Sequence, residues 1–233
     1  MKTLVLKTAL LALLSVPLVT TANATTNLIL NGGFEDVGDA SNLIASYLDN
    51  GIVMYGVGGE GALPGWTVSS GNVDIVKTGL YYGPADSGNN ALDLNGYEAG
   101  SIAQSFATLV GQTYDVSFAY SWNETSAPSV ANAVAAAGGV SLPISVINDP
   151  SYLGTEAMLW THTGFSFMAA SETSTLTFTS TVSGFGAVAL DSVSVTVAPI
   201  PEPETYALML AGLVLVGAAA RRRKAKQEIS RNP

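Results

Sequence analysis

Apolar and polar residues alternate along much of the chain between residues 27 and 197, and this period of two restricts its fold more than any other feature. The pattern is clearest at Tyr114, Val116, Phe118 and Tyr120, and again at Val193, Val195 and Val197. Because successive side chains of a strand point to opposite faces, such alternation predicts half-buried strands. Turn-forming Gly, Asn, Asp and Ser residues separate the segments.

Eight or so short strands are expected among nine candidate segments, which are 27–31, 73–76, 91–95, 101–106, 114–120, 142–147, 158–167, 176–178 and 193–197. No convincing amphipathic helix interrupts them, so the sequence predicts an all-β, two-sheet jelly-roll sandwich. For 131–139 a short helix is one possibility, but we expect a loop, because this stretch consists mainly of small residues and ends in two glycines.

The composition narrows the function classes. Between residues 25 and 199 there are fifteen acidic residues and one basic residue, Lys77. Nucleic-acid binding needs clustered Lys and Arg, so this balance argues against such a partner and suits divalent cations or neutral polymers. The chain has no cysteine and one histidine, His162, which excludes disulfides and most multi-histidine metal sites.

The first 24 residues have the features of a secretory signal peptide. Lys2 and Lys7 precede an apolar stretch, and small residues occupy Ala22 and Ala24 before the expected signal-peptidase cut. A stretch of about a dozen apolar residues is too short to remain as a membrane span. The mature chain is therefore expected to begin at Thr25 and to be exported.

A second targeting signal is expected at 199–226, followed by a polar tail at 227–233. Pro201, Glu202 and Pro203 precede an apolar stretch of about 22 Å as a helix, shorter than the roughly 30 Å hydrocarbon layer. The basic residues Arg221, Arg222 and Arg223 follow it and should stay cytoplasmic.

This C-terminal arrangement resembles the PEP-CTERM sorting domain. The resemblance implies a Gram-negative bacterium that makes exopolysaccharide, and an exosortase partner that cuts near the Pro-Glu-Pro motif. The protein would be held in the membrane by its C-terminal transmembrane helix before processing. It would afterwards lie at the cell surface or in the extracellular matrix. The alternative is a simple C-terminal membrane anchor.

The sequence from about 27 to 197, within the expected sandwich domain 25–198, also resembles a known family, the choice-of-anchor C surface domains. The motifs that carry the resemblance are Asn-Leu-Ile-Leu-Asn-Gly-Gly-Phe-Glu at 27–35, Pro-Gly-Trp-Thr-Val at 64–68, Val-Asp-Ile-Val at 73–76 and Ala-Leu-Asp-Leu-Asn-Gly at 91–96. The resemblance implies a galactose-binding-like jelly roll, a fold in which some members bind carbohydrate. No catalytic activity accompanies it.

Sugar binding commonly combines an aromatic platform with polar side chains that bond hydroxyls. The candidate platforms are Trp66, Tyr81, Tyr82, Tyr97 and Trp122, several of them beside glycines. A core or sandwich-edge position is the alternative for Trp66 and Trp122. The first functional hypothesis is thus association with exopolysaccharide or another carbohydrate, and the second is a structural matrix protein without a specific ligand.

A structural calcium ion is also expected, held by Glu35 and Asp191 with backbone oxygen near Gly33. The two acids lie near the ends of the domain sequence, and terminal strands of jelly rolls commonly pair. Two semi-buried carboxylates repel unless a cation or proton compensates them. The alternative is that Glu35 caps a turn and Asp191 bonds backbone amides.

Catalysis is the third and least supported hypothesis. A glycosidase needs two carboxylates about 5 to 10 Å apart, for which Asp74, Asp86 and Asp93 are candidates. A serine triad needs a base, and His162 lies in an alternating strand segment where an exposed or hydrogen-bonded histidine is the simpler interpretation. We therefore expect no enzyme activity.

Overall fold

The computed structural model describes residues 26–38, 45–47, 52–56, 63–78, 83–123, 130–147, 158–184, 186, 188–199 and 203–229. The signal-peptide residues Ala22 and Ala24, the tyrosines Tyr81 and Tyr82, and the sorting residues Pro201 and Glu202 lie outside these ranges. Predictions that concern them stay predictions.

The described strands are, in chain order, β1 (Ala45–Tyr47), β2 (Ile52–Gly56), β3 (Thr67–Ser70), β4 (Asn72–Lys77), β5 (Asn90–Asp93), β6 (Ser101–Ala107), β7 (Thr113–Trp122), β8 (Val130–Ala137), β9 (Val140–Ile147), β10 (Thr161–Met168), β11 (Thr173–Ser180) and β12 (Val188–Val197). They form a seven-stranded sheet in the order β1-β2-β4-β5-β12-β7-β10 and a five-stranded sheet in the order β3-β6-β11-β8-β9. Neighbouring strands are antiparallel. The predicted two-sheet jelly-roll sandwich is confirmed.

The core lies between the inner faces of the two sheets, and aromatic rings fill its centre. Phe118 of β7 and Phe178 of β11 meet edge to face with ring centroids 5.0 Å apart. Trp66 packs between Phe178 and Phe34 at centroid distances of 6.1 and 5.8 Å. Fully burying one such side chain stabilises the fold by about 1.5–3 kcal/mol, so these contacts hold the sheets together.

The predicted loop at 131–139 is wrong, because most of this stretch belongs to strand β8. Alanines at 131, 133, 135 and 137 point into the core, while the residues between them are more exposed. Gly138 and Gly139, with φ of 56° and 82°, form the two-residue turn into β9. Adjacent positive φ angles suit a hairpin turn whose twist matches its strands, and glycine adopts them without strain.

The first described segment forms no strand, contrary to prediction, but it lies beside β12. Leu28 N donates to Val195 O at 2.8 Å, and Val193 N donates to Gly32 O at 2.9 Å. Asn31 and Phe34 have positive φ, at 50° and 56°, which bends the segment out of a regular ladder. The two ends of the domain are nevertheless neighbours, as the sequence predicted.

One helix, α1 (Pro203–Ile229), follows the sandwich among the described residues. It begins at the last residue of the expected sorting motif, where proline suits the first turn. Its large apolar side chains from Leu208 to Val216 are more than half exposed. In the part of the chain that the structure describes, no helix is long and apolar enough to span a membrane.

Candidate functional site

The outer face of the seven-stranded sheet carries the polar groups of interest. On β4, Val73 and Ile75 point into the core, so Asp74 and Val76 point outward. This outer face is nevertheless covered, because Met158 packs on Val76 and its neighbours, and Trp160 Nε1 donates to Pro84 O at 2.8 Å. Polar side chains on this face are therefore held in a partly dry environment.

The predicted calcium ligands come together at what we term the closing corner, defined as Gly33, Glu35, Asp191 and the loop 86–90. Glu35 Oε1 accepts hydrogen bonds from Asn89 N and Asn90 N at 2.7 and 2.9 Å. Asp191 Oδ2 accepts one from Ser87 N at 2.8 Å. Both acids thus fix the same loop, across more than 50 residues of intervening sequence in each case.

Asp191 is fully buried in the corner, and its own charge is only partly compensated. Burial raises the pKa of Asp191 to about 6, while hydrogen bonds from the backbone amides of Ser87 and Ser192 act in the opposite direction. A side chain at Gly33 would lie 3.7 Å from Asp191 Oδ1, so the backbone there approaches the carboxylate. The carboxylate oxygens of Glu35 and Asp191 are ligands of the type that calcium binds. In the structure, however, these oxygens accept hydrogen bonds from backbone amides of the loop.

A serine, a histidine and an aspartate also meet beside this corner. Asp86 Oδ1 lies 2.9 Å from His162 Nε2, and Ser192 Oγ donates to Asp86 Oδ2 at 2.6 Å. His162 is 69% exposed on β10. The serine hydroxyl bonds the carboxylate and not the imidazole, so this group lacks the nucleophile–base contact of a serine triad. The interpretation of His162 as an exposed strand histidine is confirmed.

A second polar group, which we term the oxygen cluster, lies nearer the other end of the same strands. It comprises Asp74 on β4, Asp93 on β5, and Asn95 and Asn123 just beyond β5 and β7. Asn123 Nδ2 donates to Asp93 Oδ2 at 2.5 Å, and Asn95 N donates to Asp93 Oδ1 at 2.9 Å. Burial, reinforced by the charge of Asp93, raises the pKa of Asp74 to about 8.

Tyr97 lies on the turn that adjoins the oxygen cluster. Asn72 holds this turn, because its Oδ1 accepts a hydrogen bond from Tyr97 N at 2.5 Å and its Nδ2 donates to Glu98 Oε1 at 3.4 Å. The tyrosine side chain is 54% exposed. The structure therefore presents one of the predicted aromatic platforms at the surface, beside a carboxylate.

Trp66 does not lie at the surface. Only 3% of it is exposed, its ring packs in the core, and Trp66 Nε1 donates to Asn31 O at 3.2 Å. Its prediction as a surface platform is wrong because Trp66, which directly precedes β3, points into the core as Val68 does two positions later. The core alternative describes its position.

Sequence reasoning missed Asn72, Asn95, Asn123 and Ser87 as site residues. Asn95 and Asp93 are two positions apart in a strand pattern, as are Asn72 and Asp74, and this spacing places each pair on one face. That signal was available in the sequence. The partnership of Ser87 with Asp191 was not, because it depends on the path of a loop 104 residues away.

The fold and the C-terminal signal together define a class of protein, an exported β-sandwich protein. A PEP-CTERM protein-sorting motif matches residues 199–224, which confirms the predicted signal and indicates exosortase-dependent sorting. The chain belongs to the DUF642 family, described as a protein of unknown function, whose family model matches residues 27–196.

One curated relative is Halomucin of Haloquadratum walsbyi, which is 41% identical over 96 residues. That match covers 41% of this chain and 1% of Halomucin, so the two proteins share only a small part of the larger one.

Solved structures similar to this chain include carbohydrate-binding modules and a glycosidase. TmCBM61, solved with β-1,4-galactotriose, is 16% identical with a TM-score of 0.46, over 75% of this chain and 100% of the other. The CBM22-1 xylan-binding domain of Xyn10C from Paenibacillus barcinonensis is 15% identical with a TM-score of 0.41, over 63% and 90%. The α-L-arabinofuranosidase MgGH51 is 11% identical with a TM-score of 0.46, over 73% and 26%.

Proposed function

We propose that this protein is a non-enzymatic surface or matrix protein whose sandwich associates with exopolysaccharide or another carbohydrate. The sorting motif supports delivery to the outside of the cell. The observation that carries the binding proposal is the exposed ring of Tyr97 on a turn fixed by Asn72, with Glu98 beside it. An aromatic face next to polar groups is the combination that recognises a pyranose.

The binding test compares two exposed side chains at opposite ends of β6. Binding of the full chain to the producer's own exopolysaccharide and to a glycan array is measured for wild type, Tyr97→Ala and Leu109→Ala. Leu109 is 71% exposed in the turn after β6, so its replacement is a matched control. We expect Tyr97→Ala to weaken binding about tenfold, which corresponds to about 1.4 kcal/mol.

Equal binding by the Tyr97 and Leu109 variants would exclude Tyr97 as the platform. If wild type bound no glycan at all, the second hypothesis, a structural matrix protein without a specific ligand, would replace the first. Tyr81 and Tyr82 are tested in the same series, since they stay candidates from the sequence.

The sorting proposal is tested by mass spectrometry of surface and secreted material. We expect a chain that begins at Thr25 and ends near Pro201, and therefore lacks Arg221–Arg223. Before processing, the proposed topology leaves the basic cluster in the cytoplasm and the sandwich outside. Neutral replacements of the three arginines should misroute the chain, whereas intact C-terminal peptides in mature protein would count against exosortase cutting.

We also propose a structural calcium ion at the closing corner. Glu35 and Asp191 would supply carboxylate oxygens, and the backbone near Gly33 would supply carbonyl oxygen, which is the donor chemistry that calcium takes. Calcium would neutralise the two carboxylates and fix the loop 86–90 against β12. EDTA should then lower the melting temperature of wild type by several degrees, and by fewer degrees in Asp191→Asn, which lacks this ion.

A further inference from the structure

The oxygen cluster places two carboxylates side by side on the outer face of the seven-stranded sheet. Asp74 and Asp93 are direct partners in the antiparallel pairing of β4 with β5. Directly opposite residues have Cβ atoms about 4.5–5.5 Å apart, within reach of one shared ion. Asp74 is 9% exposed and Asp93 is 2% exposed, so water screens their repulsion poorly.

Three oxygen atoms of this cluster are buried and accept no hydrogen bond. They are Asp74 Oδ1, Asn95 Oδ1 and Asn123 Oδ1, which are all the buried side-chain atoms lacking a partner in the described part of the chain. Native proteins leave few such atoms unpaired, because each costs about 1–3 kcal/mol. Asn95 Nδ2 donates to Val182 O and Gly184 O, and Asn123 Nδ2 donates to Asp93 Oδ2, so each amide has its donor occupied and its oxygen unpaired. Three unpaired acceptors on residues of one cluster are what an electropositive group would satisfy.

Asp74 lacks both a hydrogen bond and an ion pair with any described residue. Its carboxylate faces Asp93, and a side chain at Gly96 would lie 3.0 Å from Asp74 Oδ1. The Gly96 backbone therefore closes over the carboxylate without supplying a counter-charge.

We propose that the oxygen cluster is a second cation site, which binds one divalent calcium ion through Asp74, Asp93, Asn95 and Asn123. The donors are all oxygens, the ligands of hard cations. Two bidentate carboxylates and two amide oxygens supply up to about six of the six to eight oxygens that calcium takes. Magnesium is less suitable, because it keeps several waters and this cluster is almost dry.

Binding requires one local change, a half-turn of the Asn123 amide. The amide now directs Nδ2 to Asp93, which is the arrangement expected when no cation separates them. The half-turn exchanges Nδ2 and Oδ1, which have nearly the same shape. The ion would replace the missing donors of all three unpaired oxygens at once.

This site is separate from the calcium proposed at the closing corner. There, the backbone amides of Ser87 and Ser192 already bond the Asp191 carboxylate. The oxygen cluster lies instead below the Tyr97 turn, because a side chain at Gly96 would meet both Asp74 and Asn72, the residue that holds the turn. A bound ion would thus stiffen the turn that presents Tyr97.

The experiment is a calcium titration of the metal-stripped full chain in detergent, followed by calorimetry and without any glycan. Wild type is compared with Asp74→Asn, Asp191→Asn and the control Glu172→Gln, whose carboxylate lies in the exposed turn between β10 and β11. We expect Asp74→Asn to lose one equivalent of calcium, and Asp191→Asn and Glu172→Gln to keep that equivalent. Circular dichroism checks that each variant is folded.

Unchanged stoichiometry and affinity in Asp74→Asn would overturn the proposal, as would the absence of any calcium binding by wild type at millimolar concentration. Loss of glycan binding in Asp74→Asn with unchanged calcium binding would assign the cluster to sugar hydroxyls and also overturn it. A terbium-soaked crystal provides an independent readout. An anomalous peak between Asp74 and Asp93 supports the site, and its absence excludes it.

Discussion

The closing corner and the oxygen cluster lie on the same sheet face, and both contain a buried aspartate. The two sites differ in what compensates the charge of that aspartate. At the corner, backbone N–H groups of Ser87 and Ser192 bond Asp191. In the cluster, Asp74 receives no donor from any described residue. A carboxylate whose lone pairs are filled by amides holds loops together, whereas one without donors needs a proton or a cation.

The largest effect is expected from Asp191→Ala, measured in EDTA by urea unfolding. The replacement leaves the amides of Ser87 and Ser192 without acceptors in a buried place, at about 1–3 kcal/mol for each group left unpaired. We expect the free energy of unfolding to fall by about 3 kcal/mol. Asp115→Ala is the control, because Asp115 bonds a single exposed hydroxyl, that of Ser166, and should cost less than about 1 kcal/mol. Equal losses in the two variants would contradict the structural role of Asp191.

Asp74→Asn should act in the opposite direction. In EDTA at pH 8 to 9 this replacement removes a buried charge that faces Asp93. We therefore expect the free energy of unfolding to rise by about 2 kcal/mol. In calcium the gain should shrink or reverse, because the variant loses the proposed ion. Destabilisation in EDTA would show that the Asp74 carboxylate has a compensating donor.

The sequence predicted the sandwich far better than it predicted these two sites. Alternation at positions such as Val116 and Phe118 is a local property, and it was enough to identify strands and their inner faces. The jelly-roll interpretation that followed from it also predicted that Glu35 and Asp191 lie near each other, since the ends of a jelly roll meet. What compensates Asp191 could not be predicted, because Ser87 reaches it through a long-range loop contact.

Two errors arose where residue type was weighed above pattern. The alanines of β8 alternate inward like any strand, but their small size made the stretch resemble a loop. Trp66 was considered a platform because it is aromatic and follows Pro64-Gly65, although the same motif places it in the core. In both cases the sheet packing, which is not visible in local composition, decided the position.

A smaller effect is expected from pH, and it separates the two aspartates. Both have folded-state pKa values above the ordinary 3.8, about 6 for Asp191 and about 8 for Asp74. Between the ordinary and the folded value, the native state holds a proton that the unfolded chain has released, so stability falls as pH rises. In EDTA, the loss of this proton from Asp74 lowers the free energy of unfolding by at most about 1.4 kcal/mol per pH unit.

The measured quantity is the free energy of unfolding of wild type minus that of Asp74→Asn in EDTA. Asp93 is the charged group that faces Asp74. From pH 6 to 8 the free energy of unfolding of wild type should fall steadily relative to that of Asp74→Asn. The stability that depends on the proton held by Asp191 is lost mainly below pH 6. A flat difference across this range would show that Asp74 is ionised without a cation.

The smallest effect is expected at Glu35, and it decides between the two interpretations of the closing corner. Glu35 Oε1 accepts hydrogen bonds from Asn89 N and Asn90 N, but the side chain is exposed and water can replace it. Glu35→Ala should therefore cost about 1 kcal/mol in EDTA, and Glu35→Gln about half as much, because the amide oxygen still accepts from the loop. If amide bonding is the whole role of Glu35, Glu35→Gln melts below wild type by the same margin in calcium and in EDTA. If calcium binds at the corner, the margin widens in calcium, since a neutral amide is a poorer calcium ligand than a carboxylate.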